Sequence, residues 1–280
     1  MSYDDIAEGY ARYWGPTILP EAVRVLDLIA PAVAVVLDGG ANAATGTPAM
    51  LDVGAGTGAL SIEALRRWPE LSLIGIDPSG GMLDVARREA AAQLTADAAA
   101  RFRTEVAFAD ELPFEDGSID VAVSSFVLQL VADRGAVMRE VRRVLKPGAT
   151  FAWVSWLRTD RAYEPDRVAN AALDDAGFDP PEPDGRPGDL ASVAAAAAGM
   201  RRAGFRDVQA TAGELAHEWT PEGYVDFFSK FDEQSLFDEL DAKERAAIEA
   251  KILRGVRRLT ADERTLRLPT VSVVGRVPGG

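Results

Sequence analysis

The chain contains no cysteine. Disulfides, zinc–thiolate sites and thiol nucleophiles are therefore excluded. Histidine occurs once, at His217. No metal site is expected. No apolar run approaches the roughly 20 residues needed to span a bilayer. The start, MSYDDIAEGY, lacks the basic and apolar regions of a signal peptide, so a cytoplasmic protein is expected. Positive charge is scarce. There are 30 Lys and Arg against 44 Asp and Glu, giving net charge −14 and a pI near 4.6. A field of that sign disfavours nucleic-acid phosphates and anionic membranes, so neither partner is expected. Arg254, Arg257, Arg258, Arg264 and Arg267 lie close together, and read as a solvated helix face and loop.

What is present is a globular chain. Its 280 residues, 48% hydrophobic, suffice for one well-buried α/β domain with an appended cap. Residues 4–14 and 20–30 read as helices, and 38–48 as a Gly/Ala/Thr loop. Strands are expected at about 49–53, 71–76, 103–108, 119–125 and 150–156. Helices are expected at 59–67, 80–99 and 133–145, the last stopped by Pro147-Gly148. This alternation implies a largely parallel sheet covered on both faces. After 157 the alternation breaks. Residues 160–190 are rich in Pro, Asp and Gly, with one helix near 166–176, and 190–203 is helical with the tract Ala194–Ala198. Residues 205–219 and 265–277 look like the sixth and seventh strands. Between them, 221–262 is helical in pattern and apolar on one face, with Tyr224, Phe227, Phe228, Phe231, Leu236, Phe237 and Leu240.

The most informative stretch is LDVGAGTG, residues 51–58. A short apolar strand runs into a glycine turn, and a helix follows. Glycines there let the backbone approach a ligand, and the helix start offers free N–H groups. Asp77 ends the next apolar run, and an acid in that place can bind ribose hydroxyls. The spacing alone does not separate a dinucleotide from another adenosine-containing ligand. The pattern is G-x-G-x-G (Gly54, Gly56, Gly58), not the G-x-G-x-x-G of dinucleotide binders. Asp52 precedes it. A negative charge suits the amino group of a methionine moiety better than a pyrophosphate. Ligands of such sheets bind beyond the carboxyl ends of the strands, where Gly54, Asp77, Asp110 and Ser124 fall.

The chain resembles the class I S-adenosylmethionine-dependent methyltransferases, in the small-molecule group of the menaquinone- and biotin-pathway type. The pieces that carry the resemblance are LDVGAGTG, IGIDPSGGML with Asp77 and Met82, LPFEDGSIDVAVSSFVLQ (112–129) and LKPGATFAWVSW (145–156). They cover about residues 48–156, and YDDIAEGYARYW at the N-terminus is also similar. The resemblance implies a Rossmann-like, doubly wound, seven-stranded α/β sheet. It would be mostly parallel with an antiparallel last strand, plus N-terminal helices and a helical insertion between strands six and seven. It implies a single domain over 1–280: a helical cap (1–48), a donor-binding core (49–156) and a C-terminal part. In this family the 221–262 position often carries a lid over the acceptor; plain packing on the sheet edge is the other reading.

The activity implied is methyl transfer from S-adenosylmethionine to a small-molecule acceptor. Gly54, Ala55, Gly56 and Gly58 would contact the methionine and ribose portions, Asp52 the methionine amino group, and Asp77 the ribose hydroxyls. Pro78 and Met82 would flank the adenine. Ser124 would face the methionine part with Phe126 close by. Tyr10 and Trp14 would close the site from the N-terminal helix, or serve in core packing. One position departs from the family pattern. Phe108 stands where an acid or amide usually binds the adenine amino group, so Asp110, or backbone near Ala109, would have to substitute. His217 is a weak candidate for a general base, since a lone histidine in a strand also fits packing or surface. Two alternatives remain: a methyltransferase fold that binds the donor without transferring a methyl group, and an NAD(P)-dependent oxidoreductase on a similar sheet.

Overall fold

The computed structural model describes residues 3–39, 49–178 and 188–279. Most of the expected loop at 38–48 and part of that at 160–190 lie outside the described residues. Seven strands form one sheet: β1 (Ala49–Val53), β2 (Ser72–Asp77), β3 (Phe102–Val106), β4 (Ile119–Ser125), β5 (Leu145–Trp156), β6 (Arg206–Glu218) and β7 (Thr265–Arg276). Their order is β3-β2-β1-β4-β5-β7-β6. β1 pairs in parallel with β2 and β4, β2 with β3, and β4 with β5. β7 runs antiparallel to β5, from Thr150 opposite Arg276 to Trp156 opposite Thr270. The order reverses at β1, so the crevice for a ligand opens between β1 and β4 at their carboxyl ends.

The residues group into two compact units. The first comprises Met1–Arg158, Pro187–Gly213 and Pro269–Gly280; the second comprises Thr159–Arg186 and Glu214–Leu268. β1 is buried along Met50–Val53, as expected of a strand covered on both faces. Its core cluster includes Leu51, Val53, Phe151 and Trp153, each 0% exposed, with Val137, Met138 and Val141 from the helix Arg134–Val144. Those three share one helix face, and each large apolar side chain buried there contributes about 1.5–3 kcal/mol. Helix Arg24–Leu37 adds Val25, Leu26, Ile29 and Val33, all fully buried.

Three boundaries differ from expectation. The N-terminal helices extend over Tyr3–Gly9, a π-helical turn at Tyr10–Trp14, Gly15–Ala22 and Arg24–Leu37. Pro31 does not stop the last of these, because the apolar run after it continues the buried face through Val33. The expected helix 80–99 ends at Gln93, and Thr95 caps a separate turn, Ala96–Ala99. β5 begins at Leu145, paired with Ile119 across a bulge, so Pro147-Gly148 lies within the strand. Pro147 is confined to the irregular end of the ladder, where a missing N–H is tolerated.

The second unit packs around aromatic rings. Trp219 stacks on Phe227 at 4.9 Å, and Tyr224 stacks on Phe228 at 5.9 Å. Tyr224 is fully buried and its hydroxyl donates to Asp166 at 2.8 Å; that of Tyr163 donates to the Arg264 carbonyl at 2.7 Å. The expected apolar face of 221–262 is thus real: Tyr224, Phe227, Phe228 and Phe237 are buried. Its helices are Pro221–Phe227, Gln234–Glu239 and Ala242–Val256, with a π-helical turn at Phe228–Asp232. The basic cluster is tied to acids: Arg257 pairs with Glu222, Arg264 with Glu218, and Arg267 with Glu214 and Asp262.

Candidate functional site

The site is built where β1 ends. Gly54, Gly56 and Gly58 all take left-handed φ, at +75°, +53° and +79°. Two of them require glycine for different reasons. A Cβ on Gly54 would meet Val127 Cγ2 at 2.2 Å, so the turn must lie flat against the loop after β4. A Cβ on Gly56 would meet nothing within 4 Å. Its bare backbone therefore faces open space, as a ligand cradle requires. Tyr10, Ile18, Leu19, Ala55, Gly56 and Ser125 are among the residues lining the cleft over this turn.

Two carboxylates flank the turn. Asp77 closes β2 and accepts from the Gly56 N–H at 3.0 Å and from the Ser79 N–H at 2.9 Å, one bond on each oxygen. An ionised carboxylate has about four acceptor positions, so each oxygen retains capacity for a ligand hydroxyl. Burial pushes the Asp77 carboxyl up from its ordinary value, against those two hydrogen bonds. Asp52 is fully buried. Its Oδ2 accepts from Ser61 Oγ at 2.7 Å, while its Oδ1 has no hydrogen-bond partner. Burial raises its pKa to about 7, with the negative charge of Asp77 adding to the effect. A buried carboxylate oxygen without a donor calls for a cationic or hydrogen-bonding ligand.

The N-terminal segment covers this region. Asp4 accepts from the Ser79 hydroxyl at 2.6 Å and the Gly81 N–H at 2.7 Å, and these bonds hold its carboxyl below the ordinary value. Met82 is buried in a small cluster with Ala7 and Val85, against which Tyr10 packs. Burial, then the charges near Tyr3 and Asp77, push the Tyr10 phenol up.

The expected residues fall into three groups. Gly54, Ala55, Gly56 and Tyr10 line the cleft, Asp77 holds the Gly56 N–H, and Asp52 lies buried close enough to Asp77 to feel its charge. Gly58 helps form the turn but faces the protein, since a Cβ there would meet Ala86 at 2.8 Å. Pro78 is exposed beside Asp77, and Met82 is engaged in packing. In the second group the side chains turn into the protein, which for Trp14 is the packing reading. Ser124 is 1% exposed and donates to the Val53 carbonyl at 2.7 Å, so its hydroxyl ties β4 to β1. Ser125, the next residue, lines the cleft in its place. Trp14 tilts against Trp156 at 6.4 Å, and Trp156 stacks on Phe126 at 4.0 Å. Phe126 is 6% exposed, so these rings form a packed row. In the third group, Asp110 is exposed, Ala109 packs on the core, and Phe108 is 66% exposed. His217 belongs to the second unit, where its ring meets Trp219 edge to face at 4.4 Å. Burial lowers its pKa, favouring the neutral imidazole.

Sequence reasoning missed Asp4, Ser61 and Ser125. Ser61 was legible in principle, because it lies one helical turn into the helix after the glycine turn, on the face turned to β1. Asp4 was not, since its partners stand 75 and 77 residues away.

Comparison with known proteins bears on this geometry. Residues 51–153 match the family model of a methyltransferase domain. The segment that builds the site is thus similar to a methyltransferase domain. The chain is 38% identical over 100 residues to the ubiquinone/menaquinone biosynthesis C-methyltransferase UbiE of Geotalea daltonii. That match spans 35% of this chain and 41% of the relative. It is also 38% identical over 104 residues to the malonyl-(acyl-carrier protein) O-methyltransferase of Xylella fastidiosa, covering 35% of this chain and 32% of that protein. The matches thus span about two-fifths or less of these relatives. In overall fold the chain is similar to a putative sarcosine dimethylglycine methyltransferase from Galdieria sulphuraria. The TM-score is 0.55 at 14% identity, over 93% of this chain and 86% of the other. The open cradle at Gly56, the partnerless Asp52 oxygen and the spare capacity of Asp77 fit S-adenosylmethionine, the donor the sequence resemblance implies. Among the described residues, no helix is long and apolar enough to cross a membrane.

Proposed function

We propose that the protein transfers a methyl group from S-adenosylmethionine to a small-molecule acceptor in the cytoplasm. The observation that carries the reading is the pairing of the open Gly56 cradle with buried Asp52, whose Oδ1 lacks a partner. S-adenosylmethionine supplies a methyl group on a positively charged sulfur, ready for in-line displacement. The chain's residues bind and orient. Asp77 receives the ribose hydroxyls and holds the turn through the Gly56 N–H. Asp52 faces the ammonium group. The carboxylates of Asp4 and Asp77, with Asp52 buried behind them, favour a cationic ligand and oppose a pyrophosphate. This charge pattern speaks against the nicotinamide dinucleotide alternative.

The relatives include a carbon and an oxygen methyltransferase, so the acceptor atom is not carried over from them. Oriented binding supplies much of the rate when the acceptor is already nucleophilic. Titration calorimetry with S-adenosylhomocysteine and with NADH, side by side, tests the reading. Binding of the first and not the second is expected; the reverse would overturn it. The 221–262 stretch is proposed to cover the acceptor. Its backbone exchange should slow on addition of S-adenosylhomocysteine and acceptor, and unchanged exchange would remove that role.

A further inference from the structure

Phe126 has φ +54°, and Asp207 is the only other described non-glycine residue with positive φ. An aromatic residue is disfavoured in that region and stays there only when its surroundings hold it. The Phe126 N–H donates to the Val154 carbonyl at 2.9 Å, and its own carbonyl accepts from Gln129 Nε2 at 2.6 Å. The other end of that amide, Gln129 Oε1, accepts from Ser155 Oγ at 2.7 Å. Ser155 is fully buried in β5. Both polar ends of Gln129 are thus engaged, and the side chain braces the β4 loop against its neighbouring strand. Arg134 fastens the same loop by donating from Nε to the Leu128 carbonyl at 2.8 Å.

The turn at Phe126 has two consequences for the cleft. It follows Ser125, which lines the cleft, and it precedes Val127, whose methyls press on Gly54. An extended conformation at Phe126 would carry Val127 elsewhere and free the first glycine of the cradle. We propose that Gln129 is a positioning residue of the donor site: its amide, anchored by Ser155, locks the left-handed turn at Phe126 that seats Val127 against Gly54. Gln129 is not among the residues lining the cleft; it acts through Phe126 and Val127. The proposal rests on the reading that the glycine turn receives the donor.

The orientation of the amide makes the identity of the residue matter. Gln129→Met keeps the length and removes both bonds. Gln129→Glu keeps the bond from Ser155 but sets an oxygen against the Phe126 carbonyl. Glycine has no penalty at positive φ, so Phe126→Gly should make the lock unnecessary. The experiment is a cycle of Gln129→Met with and without Phe126→Gly, and Gln129→Glu serves as a second variant. Affinity for S-adenosylhomocysteine is read by calorimetry. In the ligand-free proteins, the nuclear Overhauser contact between the Val127 methyls and the Gly54 α-protons is read by NMR. Gln129→Met should weaken binding about tenfold, the scale of one net hydrogen bond, and abolish the Val127–Gly54 contact. Gln129→Glu should move both readouts in the same direction. With Phe126→Gly in place, adding Gln129→Met should change affinity less than about twofold. An equal loss in both backgrounds, or a Val127–Gly54 contact that survives both Gln129 substitutions, would overturn the proposal. If the unaltered protein fails to bind S-adenosylhomocysteine, the functional reading falls, while the ligand-free contact still decides whether Gln129 sets the turn.

Discussion

Asp52→Asn replaces a buried carboxyl of β1 with a neutral amide and changes little else. Asparagine has the same shape, and its oxygen can still accept from Ser61 Oγ, now at 2.7 Å from Asp52 Oδ2. The unfolded carboxyl titrates near 3.8 and the folded one at about 7, because burial disfavours the charge. The folded protein therefore binds the extra proton between those values. Its stability declines as pH rises through that window, opposite to a salt-bridged aspartate. The full difference corresponds to at most about 4 kcal/mol, present above pH 7 as a cost of holding the charge. Asp52→Asn should thus match the unaltered protein in thermal stability only below pH 3.8, and should exceed it by a margin that widens from pH 5 to 7 and levels off above 7. Donor binding should respond in the other direction. An ammonium group is attracted to the charged carboxylate, so affinity for S-adenosylhomocysteine should climb with pH, by up to about tenfold per unit, and level off above 7. Asp52→Asn should flatten that climb and weaken binding at pH 8 by about 1.5–3 kcal/mol. Scanning calorimetry and titration calorimetry at pH 5, 6, 7 and 8 measure both. A stability difference that does not vary with pH would refute the reasoning, as would an equally steep affinity profile in the variant.

Three further outcomes follow from the same geometry. Asp77→Ala should weaken S-adenosylhomocysteine binding by about 1.5–3 kcal/mol in titration calorimetry, since it removes a charged acceptor for the ribose and the partner of the Gly56 N–H. Gly56→Val should fold, with nothing within 4 Å of the new Cβ, yet lose donor binding because a branched side chain fills the cradle and resists φ +53°. Retained affinity would show that the ligand does not lie against Gly56. His217→Ala, with its ring packed on Trp219, should lower kcat by far less than the about 10²–10⁴-fold of a lost general base, measured in steady-state assays. A hundredfold loss with donor affinity intact would reinstate the imidazole as a base.

Much of the fold was legible because its punctuation is local. β1, β4 and the helix Ala59–Arg67 lie where a glycine turn and an Asp-Gly-Ser turn bound their apolar runs. The boundaries that moved depend on distant partners. Pro31 is carried within a helix by burial of its neighbours, and β5 starts early because Leu145 finds Ile119. The candidate site divides the same way. Asp52, Asp77 and the glycines announce themselves by residue type and spacing. Ser124 and Ser125 are adjacent serines in a strand, and only the register with β1 decides which hydroxyl meets Val53. Gln129 carries no signal in the sequence, because its importance lies in the backbone angle of Phe126.

A crystal structure with S-adenosylhomocysteine bound tests the central claim most directly. The account predicts the ligand in the cleft over residues 54–58, its ribose hydroxyls on Asp77 and its amino group toward Asp52 Oδ1, directly or through one water. A ligand lodged elsewhere, or one that leaves Asp52 and Asp77 untouched, would contradict it.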